Sequence, residues 1–296
     1  MKAQRASKTA EYMAFFRALE TARPRGRSLF QDHYARQFLS PTLRLVLTLS
    51  SLPIGRSLIP RLVQREAPGA FSSGVARTRY IDDLLKTTVR AGAKQIIILG
   101  AGFDTRALRL DFLRDVSVIE IDHPDTSRCK LRTLSSMIER LPENVTYCQA
   151  DFNIQSLEEI GIASNIDLSA ATAIVWEGVT NYLSAGAVDA TFKWTENFSR
   201  VDVVFTYIDK RVLDHPEEFA GTRNVFAYLR DCKEQWTFGF VPNELADYLA
   251  EHRLFLAEDV SAVDYCAKYM ADRMVMKGYE FYRVAFARSR EMKGEA

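Results

Sequence analysis

The sequence of 296 residues lacks several features that mark secreted, metal-binding and membrane-spanning proteins. It has only four cysteines and no C-x-x-C pair, which argues against a zinc site, a redox motif and a disulfide framework. The first 16 residues carry scattered charges and lack an apolar core followed by small residues, so they do not resemble a signal peptide. We therefore expect a cytoplasmic protein that holds no metal.

A long apolar run is also missing. The most apolar stretch, residues 43–63, contains three arginines and two prolines, whereas a membrane-spanning helix needs about 20 mostly apolar residues. Hydrophobic residues make up 47% of the chain and charged residues 26%, which is typical of globular proteins. We expect no membrane partner.

Acidic residues are scarce in the first 80 positions, which hold fourteen Lys or Arg against four Asp or Glu, although the whole chain has a net charge of +1. Such a basic segment favours an acidic partner, which could be a substrate, a carrier protein or nucleic acid. It is equally compatible with a solvated helical surface whose charge is balanced by acidic faces elsewhere.

The chain has two parts that differ in their sequence pattern. Proline and glycine break residues 1–75 into short helical segments, and residues 74–91 have helical spacing. Short apolar runs then alternate with helix-length segments such as 126–140 and 187–199, which predicts βαβ units and a parallel sheet. The predicted strands are 95–99, 116–121, 145–149, 172–176, 201–207, 254–258 and 279–288, the last one antiparallel. The charged, aromatic segment 209–236 is predicted to be an insertion that covers the site.

A paired glycine turn follows the first predicted strand. Residues 99–106, LGAGFDTR, place Gly100 and Gly102 where the chain leaves that strand. Glycine lets the backbone turn tightly and approach a ligand, and doubly wound sheets bind ligands beyond the carboxyl ends of their strands. About 20 residues later the second strand ends in Glu120 and Asp122, where an acid can accept hydrogen bonds from ribose hydroxyls. The combination predicts a nucleoside site.

The turn lacks the third glycine of the dinucleotide fingerprint, because Arg106 occupies that position. Asp104 in the same turn would repel a pyrophosphate, which needs close backbone contact at a helix start. An uncharged linker between nucleoside and amino acid would tolerate this carboxylate. The turn therefore favours S-adenosylmethionine over NAD, and a glycine turn without a ligand is the alternative.

Seven short motifs follow one another along the chain: DHYA (32–35), VARTRYIDD (75–83), LGAGFDTR (99–106), VIEIDHP (118–124), QADF (149–152), EGVTNYL (177–183) and FGFVP (238–242). Together they resemble the leucine carboxyl methyltransferase family, and most of all its bacterial branch, which includes carboxyl methyltransferases of polyketide pathways. The resemblance implies an α/β, Rossmann-like class I methyltransferase with a mostly parallel seven-stranded sheet and an antiparallel last strand. An N-terminal helical cap (1–75) would precede the S-adenosylmethionine-binding domain (76–296) with its lid insertion at about 209–236.

The resemblance assigns the amino-acid end of the cofactor to three places. Gly100 and Gly102 would hold it, Arg77 would bind its carboxylate, and Glu177 would lie near its ammonium. The chemistry agrees, since a guanidinium fork suits a carboxylate and a carboxylate suits an ammonium. Arg79, on the same predicted helix, is the alternative to Arg77 as the residue that binds the cofactor carboxylate.

The resemblance assigns the nucleoside end to two acidic positions. Asp122 would bind the ribose, with Glu120 as the second choice, and Asp151 with Phe152 would contact the adenine. An adenine needs a hydrogen-bond acceptor for its amino group and an apolar surface for its ring, and this pair offers both.

The acceptor side departs from the family pattern. His33 stands where many members have a proline, and Asn153 stands where many have a charged residue. We expect Tyr182, Tyr207 and His215 near the acceptor. A hydroxyl acceptor would need a general base, whereas a carboxylate is already ionised at neutral pH. The four histidines, at 33, 123, 215 and 252, are candidates, and none is singled out as the base.

The sequence thus favours an O-methyltransferase that modifies a carboxylate or hydroxyl of a small molecule, such as a secondary metabolite. The basic cap suits an anionic acceptor, and we expect no nucleic acid partner. Three alternatives stay open: methyl transfer to the C-terminal carboxylate of a protein or to a carrier-bound substrate, a non-catalytic nucleoside-binding module, and a nicotinamide-dependent reductase.

Overall fold

The computed structural model describes residues 7–24, 26–151, 155–232, 234–271 and 278–289. Seven strands form a sheet in the order β3-β2-β1-β4-β5-β7-β6. Strands β1 to β5 are parallel, and β7 runs antiparallel to both of its neighbours. The strands are β1 (Gln95–Leu99), β2 (Ser117–Asp122), β3 (Val145–Gln149), β4 (Thr172–Trp176), β5 (Val201–Ile208), β6 (Leu254–Ser261) and β7 (Tyr282–Ser289). The predicted fold class, with its antiparallel last strand, is confirmed.

Helices precede the sheet and connect its strands. They are α1 (Lys8–Thr21), α2 (Pro41–Ser50), α3 (Pro53–Glu66), α4 (Ala70–Arg90), α5 (Arg106–Arg109), α6 (Pro124–Ser135), α7 (Leu157–Ala163), α8 (Ala185–Thr195), α9 (Arg211–Asp214), α10 (Thr222–Cys232), α11 (Leu245–Glu251) and α12 (Ala262–Met270). The expected cap boundary at residue 75 falls inside α4, which continues without a break from cap to sheet. No helix in the described ranges is long and apolar enough to cross a membrane.

Burial on both faces explains the central strands. All residues of β1, β4 and β5 are buried, as expected for continuous apolar runs in a parallel sheet that is covered by helices on each side. One hydrophobic cluster lies between the sheet and the cap, and a second lies on the opposite face. This double cover leaves the strand ends as the natural place for a site.

The sheet edge on the C-terminal side differs from the prediction in its bounds. Strand β7 begins at Tyr282 instead of residue 279, because Tyr279 has a φ of +68° and its carbonyl accepts the Tyr282 N–H at 2.9 Å in a turn. Strand β6 extends beyond the predicted 254–258 to Ser261, with a register shift between Leu256 and Glu258. Tyr279 is thereby moved out of the sheet.

Buried polar contacts tie the cap to the turn after β1. Arg17 of α1 is 8% exposed, and its Nε donates to Asp32 Oδ2 at 2.8 Å while its Nη2 donates to the Phe103 carbonyl at 2.5 Å. Thr105 Oγ1 donates to the same Asp32 oxygen at 2.7 Å. An ion pair of this kind is costly to break, since removing one partner leaves a buried charge. The cap is therefore anchored where the sheet presents its loops.

Candidate active site

A cavity of about 570 Å³ opens at the carboxyl ends of β1, β2 and β4 and is covered by α1 and α10. Its floor is formed by the turn after β1, by Asp122 at the end of β2, and by residues 177–179 after β4. These are the loops that a doubly wound sheet brings together at its switch point.

Two glycines with positive φ shape the turn after β1. Gly100 has a φ of +66° and Gly102 a φ of +50°, a backbone region that residues with a Cβ rarely adopt. A Cβ on Gly100 would stand 2.4 Å from Val179 Cγ2, so the loops after β1 and β4 touch here. Both glycines line the cavity.

Asp122 links the end of β2 to this turn. Its Oδ2 accepts the Gly102 N–H and its Oδ1 accepts the His123 N–H at 2.6 Å. Burial raises the pKa of Asp122, while the two N–H donors act in the opposite direction. Each carboxylate oxygen has a second lone pair, so the side chain can still accept hydrogen bonds from a diol in the cavity.

Arg77 and Glu177 face each other across the cavity floor. Arg77 Nε donates to Glu177 Oε1 at 2.8 Å, and Arg106 Nη2 donates to Glu177 Oε2 at 2.8 Å. Burial raises the pKa of Glu177, but Arg106 and Arg77 outweigh burial and hold it below its usual value. Glu177 is therefore an anion between two cations.

Arg106 extends this contact into a larger network. Its Nε donates to Asp82 at 2.9 Å and its Nη1 contacts Asp104, while Arg109 donates to both oxygens of Asp82. Burial raises the pKa of Asp104, but the Arg106 guanidinium outweighs burial and keeps it ionised. We call the six residues the charge cluster: Arg77, Asp82, Asp104, Arg106, Arg109 and Glu177. Three cations balance three anions in it.

The other part of the cavity is aromatic. The aromatic wall consists of Tyr182, Tyr228, Trp236, Tyr279 and Tyr282, which all line the cavity. The Tyr282 ring centroid lies 6.2 Å from that of Tyr279 and 6.4 Å from that of Trp236. The Arg77 guanidinium lies 4.5 Å from the Tyr282 centroid, so this ring marks the border between the charged half and the aromatic half.

One carboxylate lies in the aromatic half. Glu234 lines the cavity and accepts hydrogen bonds from the hydroxyls of Ser7, at 3.2 Å, and Thr9. Among the described residues between 225 and 282 that line the cavity, Glu234 has the only charged side chain, and none is a lysine or an arginine.

The structure brings most of the predicted site residues to this cavity. Those that line it are Arg77, Gly100, Gly102, Asp122, Glu177 and Tyr182. Burial raises the pKa of Tyr182 to about 12, so its phenol stays protonated at neutral pH. Asp151 lies just outside, with Oδ2 at 3.8 Å from Nε2 of the cavity-lining His123, and Phe152 lies outside the described residues.

Three predicted residues are not brought to the cavity. Glu120 is 3% exposed and pairs with the buried Lys130, and burial raises its pKa to about 7 although Lys130 acts in the opposite direction. Tyr207 donates to Asp259 at 2.8 Å at the β5–β7–β6 side of the sheet. His215 is exposed and lies 3.7 Å from Glu217. Each of these side chains therefore has a partner elsewhere.

Sequence reasoning missed Arg106, Arg109 and Asp82, and the residue it named in the lid, His215, does not line the cavity. In the sequence, Arg106 stands out only because it occupies the position of the third glycine of the dinucleotide fingerprint. The sequence carried no clear signal for this role, because residues 103–111 mix charged and apolar side chains; only the structure shows that Arg106 is 2% exposed, and an arginine is rarely buried unless it is paired. Trp236 and Tyr228 lie in the segment that was expected to cover the site.

Comparison with known proteins identifies the fold and the family of this chain. The order of the strands, the antiparallel β7 and the site at the strand ends define the Rossmann-like fold of class I methyltransferases. The model of the leucine carboxyl methyltransferase family matches residues 10–196. The chain belongs to this family.

Two relatives are inferred S-adenosyl-L-methionine-dependent methyltransferases. One, from Rhodococcus jostii, is 33% identical over 196 residues, which cover 64% of this chain and 61% of the relative. The other, from Streptomyces coelicolor, is 31% identical over 201 residues, which cover 67% of this chain and 64% of the relative. The chain thus spans less than two thirds of the length of either relative.

Two solved structures share the fold over nearly the whole chain. A protein of the DUF574 family from Streptomyces avermitilis has a TM-score of 0.62 at 14% identity and covers 96% of this chain and 98% of its own. A protein from Thermobifida fusca, described as an inferred methyltransferase, has a TM-score of 0.61 at 15% identity and covers 98% of this chain and 97% of its own. Both include the region after residue 196.

Proposed function

We propose that the protein is an S-adenosylmethionine-dependent methyltransferase that transfers the methyl group to an oxygen of a small molecule. The observation that carries the proposal is the meeting of Arg77, Glu177, Asp122 and the paired glycine turn in one cavity. The family membership and the names of the relatives support the same reaction class.

The charge cluster fits the amino-acid end of this cofactor. That end is a zwitterion, and the Arg77–Glu177 pair is its electrostatic mirror, with a cation and an anion 2.8 Å apart. A carboxylate on Arg77 and an ammonium near Glu177 would add no net charge to a cluster that is already balanced. A pyrophosphate would bring two negative charges beside the ionised Asp104, which disfavours a nicotinamide dinucleotide.

The nucleoside end fits the neighbouring loops. The Asp122 carboxylate can accept hydrogen bonds from the two ribose hydroxyls, and Gly102 allows the backbone to come close because no Cβ stands in the way. Asp151 follows β3 with Oδ2 at 3.8 Å from His123 Nε2, and we propose that Asp151, together with the next residue Phe152, contacts the adenine.

S-adenosylmethionine supplies an electrophilic methyl group on a sulfonium. With the cofactor bound in the cavity, this methyl group would pass to the acceptor oxygen, and the electrons of the carbon–sulfur bond would stay on sulfur. The chain contributes mainly orientation, since the oxygen, carbon and sulfur must lie in line. The aromatic wall holds an acceptor by apolar and stacking contacts and keeps water away from the reacting oxygen.

The aromatic half supports a hydroxyl acceptor more than a carboxylate. Glu234 would repel an acceptor carboxylate, whereas it can accept the hydrogen bond of a phenol or alcohol and take its proton as the methyl group is transferred. Of the basic residues between 1 and 80 that the structure describes, none lines the aromatic half: Arg17 and Arg77 line the charged half, and Arg44, Arg61 and Arg65 are exposed on the cap.

A protein C-terminus is the second candidate acceptor. A protein substrate calls for an open groove with cations that receive its carboxylate, while a covered aromatic cavity suits a small molecule. The first turns of α1, together with α10 and residues 234–236, cover this cavity. The small molecule is therefore the better-supported acceptor.

The test has two stages. Calorimetry should detect binding of S-adenosylmethionine and S-adenosylhomocysteine but not of NADPH; no binding of either sulfur compound rejects the proposal. Mass spectrometry with methyl-labelled cofactor should then show labelled product from hydroxyl acceptors such as catechol in preference to benzoate, or from a metabolite pool. Cofactor binding without any labelled product would leave a non-catalytic nucleoside-binding module.

A further inference from the structure

Exposed apolar side chains are concentrated on the helical hairpin α2–α3. Of the eleven large hydrophobic residues that are exposed in the described ranges, six lie on this hairpin, counting the two residues that join its helices: Leu45 (61%), Leu49 (46%), Leu52 (55%), Ile54 (78%), Leu58 (48%) and Leu62 (49%). Single exposed apolar residues are ordinary, but a contiguous group marks a surface that meets something apolar.

Helical spacing gathers these side chains on the outer side of the hairpin. Leu45, Leu49 and Leu52 follow one another at intervals of four and three, while Ile54, Leu58 and Leu62 follow at intervals of four. The inner sides carry Leu47 and Ile59, which are 5% and 8% exposed and belong to the core. The outer leucines are therefore not needed to attach the hairpin to the protein.

A close contact makes the hairpin tight. A Cβ on Gly55 would stand 1.9 Å from the Leu49 carbonyl oxygen, so the first turn of α3 packs directly on the backbone of α2. This contact holds Leu52 and Ile54 at the tip as a fixed apolar point.

The charged residues of the hairpin are all arginines, except for Glu66 at the end of α3. Arg44, Arg61 and Arg65 are exposed on it. We call these three arginines and the six exposed apolar residues the docking face. Leucine beside arginine on an amphipathic surface is the pattern of helices that lie in the interface of an anionic bilayer.

In contrast to the expectation from the sequence that there is no membrane partner, we propose that the docking face binds to the surface of an anionic lipid bilayer, with Leu52 and Ile54 entering the headgroup region. Two of the arginines that interrupt the apolar stretch 43–63 exclude a membrane-spanning helix, yet they suit a helix lying on such a surface. A second copy of the chain is a poorer occupant, because two faces with three arginines each repel one another. A protein partner is also poorer, because the face has no aromatic residue and leucine is uncommon among binding hot spots.

The bilayer would then lie beside the lid. Asn224 of α10 donates its Nδ2 hydrogen to the Glu66 carbonyl at 3.0 Å, which connects the end of α3 to the helix that covers the cavity. The inference depends on the cap alone and does not require the proposed methyl transfer.

Vesicle sedimentation tests the inference with the full chain. The wild type should sediment with phosphatidylcholine vesicles that contain about 30% phosphatidylglycerol and at least about tenfold less with pure phosphatidylcholine, with the difference shrinking at high salt. Ile54→Glu should weaken vesicle binding about tenfold or more, since it places a negative charge at the apolar tip. Ile162→Glu is the matched control, because Ile162 is 81% exposed but lies on α7; it should bind as the wild type does.

Two further measurements complete the test. Circular dichroism and thermal unfolding should show that Ile54→Glu stays folded, and replacement of Arg44, Arg61 and Arg65 by Gln should remove the preference for anionic vesicles. Absence of wild-type sedimentation with either vesicle, or equal losses in Ile54→Glu and Ile162→Glu, overturns the inference. A dimer by light scattering that Ile54→Glu converts to a monomer, without vesicle binding, assigns the face to a second copy instead.

Discussion

The two halves of the cavity are built in different ways. The charged half is made by loops at the ends of β1, β2 and β4 and by α4, and its charged side chains pair with one another; Asp82, Arg106 and Glu177 each have two or more ionic partners. The aromatic half is made by the first turns of α1, by Tyr182 after β4, by α10 and its following loop, and by residues 279–282. The charged half depends mainly on the sheet, and the aromatic half depends mainly on segments around it.

The match to the family model covers the charged half of the cavity more fully than the aromatic half. It covers residues 10–196, which include the whole charge cluster and Tyr182, and it ends before the other four residues of the aromatic wall, Tyr228, Trp236, Tyr279 and Tyr282. A shared cofactor requires the same charges in every relative, whereas different acceptors require different walls. We infer that the charged half carries the common chemistry of the family and the aromatic half the selectivity of this member.

The largest expected effect is on folding, from Arg106→Ala. This change leaves Asp82, Asp104 and Glu177 without their shared cation in a buried place, and breaking such a network costs about 3–5 kcal/mol of unfolding free energy. Urea denaturation followed by circular dichroism measures the loss. Arg114→Ala is the control, since its pair with Asp111 is largely exposed and should contribute less than about 1 kcal/mol. Equal losses in the two variants would mean that the cluster does not act as a unit.

The next effect concerns the cofactor. Arg77→Ala should weaken S-adenosylmethionine binding by about 1.5–3 kcal/mol, roughly 10- to 150-fold in Kd, because a charge-assisted hydrogen bond to the carboxylate is lost. Calorimetry gives the Kd directly. Arg79→Ala is the matched control on the same helix: Arg79 pairs with Asp83, is 41% exposed, and should change the Kd less than about twofold. An unchanged Kd in Arg77→Ala would remove Arg77 from the site.

A third change probes the contact between two loops of the charged half. Gly100→Ala should cost about 2 kcal/mol or more of stability, because alanine is strained at a φ of +66° and its Cβ would also collide with Val179. Gly26→Ala separates the two causes, since Gly26 has a φ of +80° with no atom within 4 Å and should cost only the backbone strain of about 1 kcal/mol. If both variants lose the same amount, the loops after β1 and β4 are not in firm contact.

The sequence predicted the strand-end part of the charged half, where the signals are local, but not Asp82, Arg106 and Arg109, which complete the charge cluster. Buried parallel strands appear as apolar runs, and the loops that follow them must meet at one edge, so Gly100, Asp122 and Glu177 could be placed together without coordinates. Glu120 shows the limit of this reasoning. It lies two residues from Asp122, but the side chain points instead to Lys130 of α6, and only the packing of that helix decides between the two carboxylates.

For the aromatic half, the sequence predicted which segment covers the cavity but not which of its side chains line it. The sequence identified 209–236 as a cover, but neither of the residues named near it lines the cavity. Tyr207 of β5 bonds to Asp259, and His215 lies in an irregular segment, where no periodic pattern fixes the direction of a side chain. Tyr279 was expected in a strand and instead lies in a turn with positive φ, which brings it to the cavity. Long-range packing, which no local signal encodes, decides these positions.

The smallest effect should come from the aromatic half and should leave the charged half untouched. Trp236→Ala removes a ring that packs on Phe281 and Tyr282, so the acceptor loses stacking area and its KM should rise about tenfold. The Kd of S-adenosylmethionine should stay within about twofold, because Trp236 belongs to the wall and not to the charge cluster. Steady-state kinetics with the acceptor identified by mass spectrometry, together with calorimetry, separates the two quantities. Trp236→Phe should restore most of the lost affinity. If Trp236→Ala weakened cofactor binding as much as acceptor binding, the two halves would be one site, and the division drawn from the family match would fail.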